Sequence, residues 1–201
     1  MIMTNLETLQ QWISESDNIV FFGGAGVSTK SGIPIIKGVQ PNKAHLKLAE
    51  LEKAGKLKAV ITQNIDGLHQ LAGSKEVMEL HGSTLRNYCE KCHKFFDIDY
   101  IADSDGVPVC DVCAGPIKPD VVLYEEGLDM NIMQRSVEYI SKADILIIGG
   151  TSLAVYPAAG LIDYYRGHKL VLINRSSTPM DSRADLIFHD SIGEVLGSIK
   201  V

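Results

Sequence analysis

Short apolar runs, each closed by glycine or a polar residue, recur along the chain and set its plan. Those at 19–22, 57–61, 145–148 and 170–173 are continuous, and shorter ones lie at 77–80 and 185–188. Unbroken apolar runs of this length suit strands covered on both faces, as in a parallel sheet. Helical signals fill the gaps between them. Thr4 and Glu7 are spaced as a capping box ahead of an amphipathic stretch. Asn42 is placed to cap a helix reaching about Ala54, with Gly55 ending it. Met133, Val137 and Ile140 repeat at helical spacing and predict a surface helix over 131–142. Pro157 suits the first turn of a helix running to about Arg166. A last helix is expected from about Asp190. Strands alternating with helices predict the α/β class, with a doubly wound, mostly parallel Rossmann-like sheet.

Residues 83–116 break this rhythm and hold all 4 cysteines. They read as a small inserted module, leaving 1–82 and 117–201 as one discontinuous Rossmann-like domain. Cys89 and Cys92 form one knuckle, Cys110 and Cys113 another. Two such pairs complete a tetrahedral shell of four thiolates, and soft thiolate ligands suit zinc. A saturated shell leaves no open position for substrate, so the predicted role is structural. His93 beside Cys92 is then a surface histidine.

Composition narrows the classes. The chain has 201 residues and a net charge of −6, without a concentrated basic face, which argues against a nucleic-acid partner. No apolar run reaches the ~18 residues of a membrane span, so no membrane partner is expected. The first dozen residues lack the pattern of a secretory signal. Clustered cysteines with metal spacing fit a reducing compartment, and a cytoplasmic location is expected. A monomer is expected.

Candidate chemistry gathers after the predicted strands, where open α/β sheets bind ligands. Gly23-Gly24-Ala25-Gly26-Val27-Ser28 leaves the first strand as a glycine turn. Gly24 and Gly26 would let backbone N–H groups approach a pyrophosphate. An ordinary tight turn explains the same glycines, and Thr29 stands where the usual third glycine would be. Gln63, Asn64, Ile65 and Asp66 follow the second strand; their polar groups could read a ribose and a carboxamide, or Asp66 could simply cap the next helix. His81 follows the 77–80 run and can accept a proton near neutral pH, though a lone histidine is more often structural. Gly150, Thr151 and Ser152 form a second glycine turn, and Asn174 ends the 170–173 strand, placed for a ribose or an adenine edge.

Together these stretches resemble the sirtuins. The matches include Gly24-Ala25-Gly26-Val27-Ser28, Ser31-Gly32-Ile33-Pro34, Thr62-Gln63-Asn64-Ile65-Asp66-Gly67-Leu68-His69, Leu80-His81-Gly82 and both cysteine pairs. Lys118-Pro119-Asp120-Val121-Val122, Gly150-Thr151-Ser152-Leu153, Val155-Tyr156-Pro157-Ala158 and Leu172-Ile173-Asn174 continue the match. The resemblance implies NAD-dependent removal of acyl groups from protein lysines, yielding nicotinamide and O-acyl-ADP-ribose. It places the pyrophosphate near Ala25, Gly26, Thr151 and Ser152, the nicotinamide against Asn64, Ile65 and Asp66, and a ribose at Gln63. It makes His81 the general base, and it makes Val121 and Val122 the strand that pairs with an acyl-lysine protein or peptide. Two departures stand out. Asp-Phe-Arg and several dozen further residues, expected after Gly-Ile-Pro, are replaced by Ile35 onward. Tyr124-Glu125-Glu126 stands where the family often has Phe-Gly-Glu. The first departure predicts a stretch missing at Pro34–Ile35, detectable as a Cα gap beyond ~3.8 Å. It also supports an alternative, a non-catalytic NAD-binding or zinc-bearing interaction module; mono-ADP-ribosyl transfer, using the same cofactor site with a different acceptor, stays open as well.

Overall fold

The computed structural model describes residues 3–29, 39–123 and 125–201. Six strands form one parallel sheet: β1 (Ile19–Gly23), β2 (Leu57–Thr62), β3 (Val77–Glu79), β7 (Ile145–Gly149), β8 (Leu170–Ile173) and β9 (Leu186–Phe188), in the order β3-β2-β1-β7-β8-β9. All six apolar runs are strands of this sheet. Their unbroken apolar character has a direct cause, since alternate residues serve opposite cores. Ile19, Phe21, Val60, Ile145, Ile147 and Val171 face α1 (Asn5–Glu15), α2 (Lys43–Lys53) and α6 (Ile192–Gly197). Val20, Phe22, Ile61, Leu146, Ile148 and Leu172 face α5 (Met130–Lys142) and the 3₁₀ helix Ala158–Tyr164.

Local signals set the helix ends. Thr4 and Glu7 form the reciprocal capping box that starts α1. Asn42 caps α2, which ends at Ala54, and Gly55 follows at φ +77°. The segment after Pro157 differs from expectation, being a 3₁₀ helix from Ala158 to Tyr164 rather than an α-helix. Its residues Ala158, Ala159, Leu161 and Ile162 are all buried, so tertiary packing decides the local winding.

A second, antiparallel sheet joins β4 (Gly82–Cys89), β5 (Phe95–Phe96) and β6 (Ile117–Val121) in the order β5-β4-β6. The short α4 (Ile98–Ala102) lies between β5 and β6. The Pro34–Ile35 junction lies outside the described residues.

Candidate active site and metal centre

Sheet order reverses between β1 and β7, and the clefts lie at this switch point. The carboxyl ends are level: Gly23 pairs with Thr62 and Gly149, and Gly149 with Ile173. Two glycine turns leave β1 and β7 and cross each other. The N–H groups of Gly24 and Gly26 donate to the carbonyls of Gly149 (3.3 Å) and Gly150 (2.7 Å). Both N–H groups thus already have a backbone acceptor where the two turns cross. A Cβ on Gly26 would stand 2.7 Å from the Gly150 Cα, and Gly150 itself sits at φ +60°. The turns need glycine because two backbones touch.

The 3₁₀ turn Ala25–Val27 divides two cavities. The larger, about 710 Å³, is lined by Ala25, Gln63, Asn64, Ile65, Asp66, His81, Val121 and Val122. The smaller, about 140 Å³, is lined by Gly26, Gly150 and Asn174 among others. Thr29 borders both. Most of the residues selected from sequence thus meet in one connected region. Ser152 is exposed and lines neither cavity, whereas its neighbour Thr151 is buried and donates its hydroxyl to Gln63 Oε1 at 2.9 Å. Gln63 Nε2 is buried with no partner among the described residues. An unpaired buried amide donor on a cavity wall asks for an acceptor from a ligand.

Ser28 is the hub of the floor, and the sequence reading quoted it only as part of a motif. Its hydroxyl donates to Asp66 Oδ2 (2.7 Å), accepts from Asn64 Nδ2 (3.0 Å), and lies 3.4 Å from His45 Nε2. His45 Nδ1 accepts the Asn42 N–H at 3.2 Å, so its proton sits on Nε2 and points to Ser28. Asp66 Oδ1 accepts the Leu68 N–H at 3.0 Å, so Asp66 starts the next helix while also lining the larger cavity. Burial lowers His45 to about 4 against the opposing pull of Asp66. Burial, then the neighbouring His45, lowers His69 to about 3. The two rings meet edge-on at 4.7 Å. His69 belongs to the Thr62–His69 stretch, but nothing in the sequence singles out His45, whose ring meets Ser28 and His69 only after folding.

His81 Nδ1 lies 3.0 Å from the Gln63 carbonyl. A carbonyl only accepts, so Nδ1 carries the proton and Nε2 keeps a lone pair for taking another. The His81 carbonyl accepts the Val122 N–H at 3.1 Å, joining His81 to the end of β6. Within the small sheet β6 pairs only with β4, so its other edge offers an extended segment a backbone to pair with.

In the small sheet the sulfurs of Cys89, Cys92, Cys110 and Cys113 lie within 4.8 Å of one another. The close pairs, 3.4 and 3.6 Å, are far longer than a disulfide bond. A tetrahedron with ~2.3 Å zinc–sulfur bonds has edges of about 3.8 Å, so the set fits zinc. N–H groups of Cys92 and Lys91 pull the Cys89 thiol down. The Gly115 N–H also lowers Cys113, but the other three sulfurs outweigh it and push Cys113 up. Four crowded thiols resist ionising together without a cation. His93 is exposed at φ +57° and belongs to the turn, not to the shell.

A family model described as Sir2 family matches residues 35–157. The NAD-dependent protein deacetylase of Clostridium perfringens (strain 13 / Type A) is 53% identical over 238 aligned positions, covering 96% of this chain and 98% of the relative. That of Clostridium tetani (strain Massachusetts / E88) is 51% identical, covering 98% of each. A solved Sir2–p53 peptide–NAD+ structure superposes with a TM-score of 0.86 at 37% identity, covering 96% of both chains. The structure titled "Structural Basis for the Mechanism and Regulation of Sir2 Enzymes" reaches 0.90 at 32% identity, covering 97% of this chain and 95% of its own.

Proposed function

Because the chain belongs to the Sir2 family, we propose that it is an NAD-dependent protein-lysine deacylase, releasing nicotinamide, O-acyl-ADP-ribose and free lysine. The observation that carries the reading is His81, with its Nε2 lone pair free, on the wall of a cavity that also holds Gln63, Asn64 and Asp66. NAD supplies an electrophilic ribose carbon and nicotinamide as its leaving group. Asn64, Ile65 and Asp66 bind the carboxamide end, with Ser28 fixing the direction of the Asp66 carboxylate. Gln63 gives its unpaired Nε2 to a ribose oxygen. The Ala25–Val27 turn, Gly150 and Thr151 cradle the pyrophosphate, and Asn174 holds the far nucleoside in the smaller cavity. Val121 and Val122 hold the acyl-lysine segment as an added strand. His81 accepts a proton from a ribose hydroxyl through Nε2 as general base. Zinc, held by the four cysteines, is structural.

The reading extends to a cytoplasmic, monomeric enzyme with a Rossmann-like domain over 1–82 and 117–201 and a zinc module over 83–116. No nucleic-acid or membrane partner is part of this reading. Supporting this, the net charge is −6 and no described helix is long and apolar enough to cross a membrane. A second, non-catalytic NAD-binding reading rests on the departure after Pro34, where Ile35 follows in place of the expected Asp-Phe-Arg.

Incubation with NAD and an acetyl-lysine peptide, followed by mass spectrometry, separates the readings. The deacylase reading expects nicotinamide, unmodified lysine and O-acetyl-ADP-ribose in equal amounts. ADP-ribose attached to protein would point to transfer instead. NAD binding without any product would leave the non-catalytic reading.

A further inference from the structure

Strand β4 breaks its ladder with β6 in the middle. Ser83 pairs with Asp120 and Asn87 with Pro119, so Thr84, Leu85 and Arg86 stand opposite nothing. A bulge of this kind re-aims side chains, and here each residue meets a different partner. The Thr84 N–H and hydroxyl both donate to the Ile65 carbonyl, each at 3.0 Å. Leu85 lies over Gly67, where an added Cβ would strike it. Arg86 reaches two carboxylates. Its Nη1 is 2.7 Å from Glu79 Oε2, and its Nε is 2.9 Å from Asp120 Oδ2.

Each of those two carboxylates lies within two residues of a residue that lines the larger cavity. Glu79 ends β3, two residues before His81, and is buried with its other oxygen accepting from Gln70 Nε2 at 2.8 Å. Asp120 precedes Val121 on the strand with the open edge. A single guanidinium therefore bridges the parallel sheet that carries the base and the small sheet that receives the peptide. The strands cross closely here, since a Cβ on Gly82 would collide with the Asp120 carbonyl. Small displacements of β6 would thus be felt at His81. Only a forked donor can hold both acids in fixed directions; an ammonium is a single point.

The geometry points to Arg86 as a positioning residue that sets the distance between His81 and the open edge of β6, and so aligns the acyl-lysine segment with the base. This inference rests on the deacylase reading. It predicts a selective effect, because Arg86 touches the peptide strand and the base strand but nothing that lines the smaller cavity.

The test compares wild type, Arg86→Gln, Arg86→Lys and Arg86→Gln/Asp120→Asn, using NAD and an acetyl-lysine peptide. Arg86→Gln is expected to raise the peptide KM about fivefold or more, while kcat and the NAD KM stay within about twofold. Arg86→Lys recovers part of the loss. Adding Asp120→Asn costs little more, since both changes cut one bridge. An unchanged peptide KM in Arg86→Gln overturns the inference. So does a parallel fall in every kinetic constant with zinc loss or a lower melting temperature, which marks a purely structural role. A wild type that releases no nicotinamide defeats the deacylase reading and leaves Arg86 nothing to align; the wild-type rate tells the two failures apart.

Discussion

In the small sheet, four sulfurs drawn from one stretch, 89–113, surround a point with little but Phe96 and Ile117 buried beside them. The floor of the cleft is built the other way. Ser28, His45, Asn64 and Asp66 come from three separate elements and rest on a sheet covered on both faces. The first region has almost no core and depends on a ligand for its shape. The second inherits its shape from the core and presents polar groups that the ligand must satisfy. Metal removal and single substitutions should therefore separate them.

Removing the metal should have the largest effect. A four-thiolate zinc site contributes on the order of 10 kcal/mol to the fold that makes it. Even part of that loss lowers the melting temperature by more than about 10 °C in a chain of this size. Cys89→Ala or Cys110→Ala should release zinc and destabilise the protein, followed by metal analysis and circular dichroism. Protein purified without bound zinc, yet fully stable, would erase the contrast between the two regions.

His81→Ala should act on the cleft alone. Loss of a general base costs about 10²–10⁴-fold in rate, while zinc content and melting temperature remain those of the wild type. A rate near wild type would remove His81 from the chemistry.

What the sequence disclosed divides along the same line. All six parallel strands were legible because burial on both faces makes each an unbroken apolar run. The cysteine site was legible because its ligand spacing is written in adjacent residues. The glycine turns were legible as turns, whereas their crossing, with Gly24 and Gly26 donating to the neighbouring turn, was not. Ser28 and Asp66 lay in recognisable stretches, but their link to His45 was not legible, since residues far apart in sequence meet only after folding. Arg86 was equally silent, because a bulge in β4 rather than any motif aims it.

Acid should expose the buried histidines of the floor. Both have folded values well below the ordinary 6.5, near 4 for His45 and near 3 for His69. Such groups stay neutral in the folded state while the unfolded chain takes up protons. Stability is therefore full above about pH 6.5 and falls as the pH drops toward the folded values. Between pH 7 and pH 5 each contributes a loss on the order of 2 kcal/mol. Urea titrations at the two pH values measure it, and His69→Asn should flatten the dependence. An equally steep dependence in that variant would place the acid sensitivity elsewhere.

The smallest effect should come from Glu125, on the rim of the larger cavity. It stands at φ +71°, where the resembled family often has glycine. A side chain with a Cβ pays about 1–2 kcal/mol in that conformation. Glycine removes the strain but adds freedom to the unfolded chain, offsetting roughly 0.5–1 kcal/mol. Glu125→Gly should thus stabilise the protein by about 0.5–1 kcal/mol, a gain in melting temperature of about 1–4 °C. Zinc content should not change, because the residue lies on the cleft side and touches none of the four cysteines. A fall in stability would mean that the glutamate side chain repays its strain through contacts at the cavity rim. Calorimetry on the two proteins side by side decides between these outcomes.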